Sequence, residues 1–225
     1  MLKAALIIAR KDISLTLGRG SGLLQAMLLG LLLIFVFSLS LLPGQRMTPQ
    51  GAAAIFWMAS AFCQVLIFST LYAHEEINGQ RQGLVLAPSP IQSVWLGKAL
   101  SGLCMLIAAQ LLFLPAIIVF LGQTVSSLWH LGLGILLIGD VGIVAVGSLL
   151  GALSQGQSAK ESLLSIILFP LLAPLFLGGI RIGSAVFSGK LAEGAGDWFS
   201  IALAFDAIFM AAALVLFPAV YNTEE

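Results

Sequence analysis

Apolar and polar stretches alternate along this chain on the scale of a bilayer. Six apolar runs cover residues 22–42, 52–72, 99–121, 131–153, 162–177 and 198–221. Each approaches the roughly 20 residues that a helix needs to cross hydrocarbon. Helices are expected because each satisfies its own backbone polar groups in lipid. The fifth run is the shortest and holds Pro170 and Pro174, four apart and therefore on one face, which predicts a kink. The stretch 181–197 is polar and glycine-rich, with a short apolar piece at 185–187, and reads as an outer loop with a short interfacial or re-entrant helix. Ahead of the first run, Leu2, Leu6, Ala9, Ile13 and Leu17 recur at helical spacing, with Lys3, Arg10 and Ser14 opposite. That pattern predicts an amphipathic interfacial helix over 1–19, with Lys3, Arg10 and Lys11 near lipid phosphates.

The long polar interruption, residues 72–98, organises the rest. His74, Glu75, Glu76, Asn78, Gln80, Arg81 and Gln82 fall within nine positions, followed by an amphipathic piece at 83–87 and the stop Pro88-Ser89-Pro90. A charged side chain at the bilayer centre costs roughly 3 kcal/mol, so this segment belongs in water. It is too short for a domain and predicts one or two helical turns across the membrane face, suited to the grip of a soluble partner.

Composition agrees with an all-α membrane protein of one domain, 1–225. The chain is 60% hydrophobic and 9% charged, with mean hydropathy +1.08, against about 25% charged residues in soluble domains. Zero net charge argues against a nucleic-acid partner. Cys63 and Cys104 lie in apolar runs without a CxxC, so no metal site or disulfide framework is suggested, and both read as buried apolar filler. No secretory signal peptide is expected, since only six apolar residues separate Lys3 from Arg10. Lys3, Arg10, Lys11, Arg19, Arg81, Lys98 and Lys160 outnumber Arg46, Arg181 and Lys190 on the other side. The positive-inside rule therefore puts both termini and the 72–98 loop in the cytoplasm. Trp95, Trp129 and Trp198 fall near span ends, as belt residues do, whereas Trp57 does not. Gly147 and Gly151 in the glycine-rich fourth run allow close helix approach, within the subunit or across a dimer with a second copy.

Candidate chemistry is sparse. Asp140 and Asp206 lie within the fourth and sixth runs, and intramembrane carboxylates are functional candidates. An intramembrane aspartyl enzyme is one reading, but Phe205-Asp206 and Gly139-Asp140 do not fit the Tyr-Asp and Gly-x-Gly-Asp motifs of such proteases. A hydrogen-bonded Asp at a helix interface and the lining of a polar path are the others. His74 and His130, one near each face, have no chelating spacing. No Walker A motif is present, since Gly97-Lys98 and Gly189-Lys190 lack its flanking residues.

Asn78-Gly79, Leu84-Val85-Leu86-Ala87-Pro88-Ser89-Pro90 and Leu96-Gly97-Lys98 together resemble the haem exporter protein B family, also called cytochrome c maturation protein B. The basic N-terminal helix, Lys160-Glu161 and Phe169-Pro170-Leu171-Leu172-Ala173-Pro174 extend the likeness over nearly the whole chain. Gln82 departs from it, because members often carry an acidic residue there; Glu75 and Glu76 stand on the other side of the glycine. The resemblance implies a permease subunit of an ABC transporter complex in the bacterial cytoplasmic membrane. ATP is bound by a separate ATP-binding subunit, with a haem-handling and a small membrane subunit as further partners and haem as cargo of the complex. It implies a coupling helix between spans two and three, with Glu75, Glu76, Asn78, Gly79, Arg81, Gln82, Leu84, Pro88 and Pro90 as the docking set. A permease for a lipid or drug cargo is the alternative.

Overall fold

A computed structural model describes residues 1–19, 21–77, 80–154 and 167–222. Among them every regular element is a helix: α1 (Leu2–Arg19), α2 (Ser21–Leu39), α3 (Pro49–Ile77), α4 (Gln80–Val85), α5 (Ile91–Phe120), α6 (Trp129–Ser154), α7 (Ala173–Ser188) and α8 (Ala195–Asn222). Five of these, α2, α3, α5, α6 and α8, contain stretches long and apolar enough to cross a membrane. The chain is an integral membrane protein by this measure.

Local sequence sets the helix ends. Pro49 opens α3, where its missing N–H costs nothing, and Thr48 Oγ1 accepts from Gly51 N at 3.1 Å. Gly189 closes α7 in the left-handed region, φ 71°, its N–H returning to the Ala185 carbonyl. Pro170 and Pro174 bracket a break: 167–171 are helical, Leu172 is a turn residue, and α7 begins at Ala173. Both prolines face outward.

Of the fifth apolar run, 167–177 are described, and helix α7 continues past its expected end near Leu177 to Ser188, so the helix within 181–197 is continuous with the run. Ile182, Ala185 and Val186 are buried on its inner face, and this 3.6-residue period overrode the local polarity of Arg181 and Ser184.

α3 and α6 form the centre, with 67% and 61% of their candidate spans buried, whereas α2 and α8 have 17% and 22% and lie at the periphery. Rings on α3 meet glycines on α6. A Cβ on Gly147 would lie 2.9 Å from the Phe68 ring, and one on Gly151 2.8 Å from the Tyr72 ring. The Gly147–Gly151 pair thus serves close approach within the subunit. Trp57 is wedged in the same way: a Cβ on Gly139 or on Gly179 of α7 would fall 2.4 or 2.2 Å from its indole.

At one end, the α2–α3 and α5–α6 connections are joined. Met47 N donates to the Leu121 carbonyl at 3.1 Å, and Gln123 Nε2 donates to the Met47 carbonyl at 2.7 Å. α1 and α4 lie at the opposite end. α1 runs along α5, and Gly97 is where they touch: a Cβ there would be 2.8 Å from the Ala5 carbonyl and from Ile8. The face of α1 turned inward carries Ala5, Ile8, Ala9, Asp12 and Thr16, while Leu2, Leu6 and Leu17 remain exposed.

Two further expectations are corrected. Cys63 is buried, but Cys104 faces outward from α5. Trp95 is not a belt residue; it is 2% exposed, and its Nε1 donates to Ser148 Oγ at 2.8 Å. Trp129 is exposed, with His130 edge-on to it.

Candidate functional site

The 72–98 region divides into a buried root and an exposed tip. The last turns of α3 bring Tyr72 and Glu75 inward, both at most 2% exposed. The tip presents Gln82, Gly83, Pro88 and Pro90 at the surface and Leu86 at 83% exposure, while Leu84 is half-buried against the core. Asn78 and Gly79 lie outside the described residues, as do the side chains of His74, Glu76 and Arg81 and the whole Lys160-Glu161 pair.

Glu75 is the docking candidate whose place differs most from expectation. Its carboxylate is turned into the bundle. Lys98 Nζ, from the second turn of α5, lies 2.9 Å from Glu75 Oε1, an ion pair whose angle falls short of a hydrogen bond. Tyr221 at the end of α8 donates its hydroxyl to Glu75 Oε2 at 2.8 Å. Lys98 Nζ also donates to the Leu71 carbonyl at 3.1 Å and to Asp12 Oδ2 of α1 at 3.4 Å, and it sits 4.6 Å from the Tyr72 ring centroid. Lys11, half-buried, reaches Asp12 Oδ1 at 3.0 Å.

This cluster balances two carboxylates against two ammonium groups. Isolated, each charge would cost several kcal/mol to bury; as a set they are tolerated where Glu75 is 1%, Lys98 0% and Asp12 5% exposed. Sequence reasoning missed Lys98 and Tyr221 as partners of Glu75, and Asp12 as the second carboxylate on Lys98. The available signal was Asp12 sitting one turn from Ile8 and Thr16 on a helix whose other acidic positions are empty.

A second polar group lies within the spans. Gln110 Nε2 of α5 donates to Asp140 Oδ1 of α6 at 2.7 Å and to Ser60 Oγ of α3 at 3.2 Å; Ser60 in turn donates to the Phe56 carbonyl. Asp206 is elsewhere. Its Oδ1 lies against Gly142, where a Cβ would be 2.5 Å away. Positions 140 and 142 of one helix point about 200° apart, so the two carboxylates sit on different sides of α6. They do not converge on one reaction centre. Among the described residues no three His, Cys, Asp or Glu side chains gather as metal ligands.

At the other end, Ala53, Phe56, Trp57, Trp129, Leu136 and Phe187 help line an apolar cavity of about 280 Å³. A separate polar recess holds Gln50, Arg181, Ser184, Lys190 and Glu193. Lys3 and Arg10 are exposed on α1.

The chain is similar to "Heme exporter protein B" of Haemophilus influenzae, 25% identical over 189 residues, covering 84% of this chain and 81% of the relative. A family described as CcmB protein matches residues 3–222. With nearly every residue from α1 to the end of α8 inside that match, the chain belongs to the CcmB protein family, whose members are membrane transporter subunits and not enzymes.

Proposed function

We propose that this chain is the permease subunit of an ABC transporter complex for haem export in cytochrome c maturation. It crosses the bacterial cytoplasmic membrane six times, residues 167–188, broken at Leu172, supplying the fifth crossing, with both termini in the cytoplasm. A separate ATP-binding subunit docks on the loop between α3 and α5, and a haem-handling and a small membrane subunit complete the complex. α1 lies in the cytoplasmic interface, its exposed Leu2 and Leu6 in lipid and its Lys3 and Arg10 at the headgroups.

The observation that carries the docking reading is the contrast between tip and roots of that loop. A short helix, α4, and the 83%-exposed Leu86 protrude between two long helices whose adjoining ends are buried and ion-paired. An apolar side chain held out by a stiff Pro88-Ser89-Pro90 support suits insertion into a groove of a soluble partner. Glu75 belongs to this apparatus as the support beneath the contact; Gln82, Leu86, Pro88 and Pro90 make the contact, with Arg81, Asn78, Gly79 and Glu76 alongside.

Affinity purification of the tagged chain tests this. The ATP-binding subunit is expected to co-purify with the unaltered chain and to be lost with Leu86→Asp and Arg81→Glu, while the chain stays at normal level in the membrane. Undiminished co-purification with both substitutions would overturn the docking surface. A deletion strain with normal c-type cytochromes would favour a lipid or drug cargo over haem.

A further inference from the structure

We infer that the Glu75–Lys98 pair is a positioning element that fastens the two roots of the docking loop to each other and to α1 and α8. Movement imposed on the loop then passes to four helices as one displacement. The inference rests on the docking reading of the loop and goes beyond it by naming the joint through which the loop acts.

The chain enters the loop at the end of α3, Ile77, and leaves it at the start of α5, Ile91. Glu75 is two residues before the first point, and Lys98 two turns past the second. Phe68 of α3 packs against Gly102 of α5 deeper in the bundle, and the 2.9 Å pair adds a polar cross-link nearer the loop, each member of which also holds another helix. Glu75 uses its second oxygen for Tyr221 of α8 at 2.8 Å, and Lys98 spends a second donor on Asp12 of α1 at 3.4 Å. Gly97 brings α1 into backbone contact beside the pair. All three charged groups are at most 5% exposed, so water does not compete for them.

A purely structural cluster and a mechanical joint are separable because charge balance can be kept while the link is cut. The double variant Glu75→Gln/Lys98→Met removes one negative and one positive charge together and leaves Asp12 with Lys11, 3.0 Å away. Replacement of a buried ion pair by uncharged groups of similar volume is close to neutral for folding. None of the residues assigned to the docking contact changes.

The experiment uses the whole complex in lipid nanodiscs, in a Cys104→Ser background, Cys63 being buried. Spin labels are placed on Leu6→Cys in α1, which is 60% exposed, and on Gly83→Cys in α4, an exposed position where an added Cβ meets no atom within 4 Å. Without the double variant, the distance distribution between the labels is narrow and unaffected by ATP. With it, the ATP-binding subunit still co-purifies and hydrolyses ATP, the distribution broadens or shifts on ATP addition, and c-type cytochrome yield falls about tenfold, in the range of a lost coupling free energy. Tyr221→Phe, which removes a single hydroxyl, gives a smaller fall in the same direction. Full yield with an unchanged distribution in the double variant would overturn the inference. Failure of the unaltered chain to retain the ATP-binding subunit would instead remove the docking reading itself, and the inference with it.

Discussion

Lys98 Nζ stands 2.9 Å from Glu75 Oε1 in a setting where neither side chain reaches solvent. The consequences of removing either partner are unequal. Lys98→Met leaves Glu75 and Asp12 facing each other across the site with only half-buried Lys11 for relief. A loss of about 3–5 kcal/mol is expected, as for other broken buried ion pairs. Glu75→Gln leaves Lys98 still paired with Asp12, and an amide still accepts the Tyr221 hydrogen bond. That change is expected to cost about 1–3 kcal/mol. Thermal unfolding in detergent checks the order: Lys98→Met must melt lower than Glu75→Gln, and equal midpoints would contradict the assigned charge balance.

The wedge of Trp57 between α6 and α7 makes a second prediction. Gly179→Ala places a methyl group where the indole now is, 2.2 Å from Cε2, and Gly139→Ala does the same from the other side at 2.4 Å. Overpacking of this kind typically costs about 1–3 kcal/mol. If the clash is with the ring, Trp57→Leu combined with Gly179→Ala must recover part of the loss. Additive destabilisation in the double variant would place the strain elsewhere.

Much of this architecture was legible from periodicity and charge. The long apolar runs correspond to α2, α3, α5, α6 and α8, because bilayer length is a strong constraint on sequence. The amphipathic pattern of 1–19 corresponds to α1, though the face Ala5-Ile8-Asp12-Thr16 that packs on α5 is not the more apolar one that carries Leu2 and Leu6. Hydropathy reports exposure to lipid or water; it does not say which side of a helix meets a neighbour. The same limit hid the cluster. Asp12, Glu75 and Lys98 each look like an interfacial charge in sequence, and their partnership is created by tertiary packing over sequence separations of 23 and 86. Trp57 was unassigned because its two glycines lie on different helices. The run's continuation to Ser188 was hard to read because Arg181 and Ser184 weaken a local apolar signal that Ile182, Ala185 and Val186 restore at helical spacing.

Asp140 is the intramembrane carboxylate whose hydrogen-bond geometry is clearest. Gln110 Nε2 donates to its Oδ1 at 2.7 Å. Asp140→Asn keeps an acceptor in that place and is expected to leave both assembly and c-type cytochrome yield near normal. Asp140→Leu removes the acceptor from a buried amide and is expected to cost about 1–3 kcal/mol of stability. Loss of yield in Asp140→Asn with normal assembly would reassign the residue from helix packing to a path for charge or substrate.

Sidedness decides whether the loop can meet an ATP-binding subunit at all. The basic count predicts a cytoplasmic 72–98 segment, and the exposed Leu86 offers a place to test that expectation. Leu86→Cys in a Cys104→Ser background leaves one reachable thiol, since Cys63 is buried. In inside-out membrane vesicles a membrane-impermeant maleimide is expected to label it fully, and in intact spheroplasts hardly at all. Val125→Cys, 49% exposed in the α5–α6 connection at the opposite end, must show the reverse pattern. Labelling of Leu86→Cys from the periplasmic side would put the loop out of reach of any nucleotide-driven partner, because an ATP-binding subunit acts where ATP is. Labelling from the cytoplasm, combined with protection when that subunit is present, would tie the exposed leucine to the contact itself.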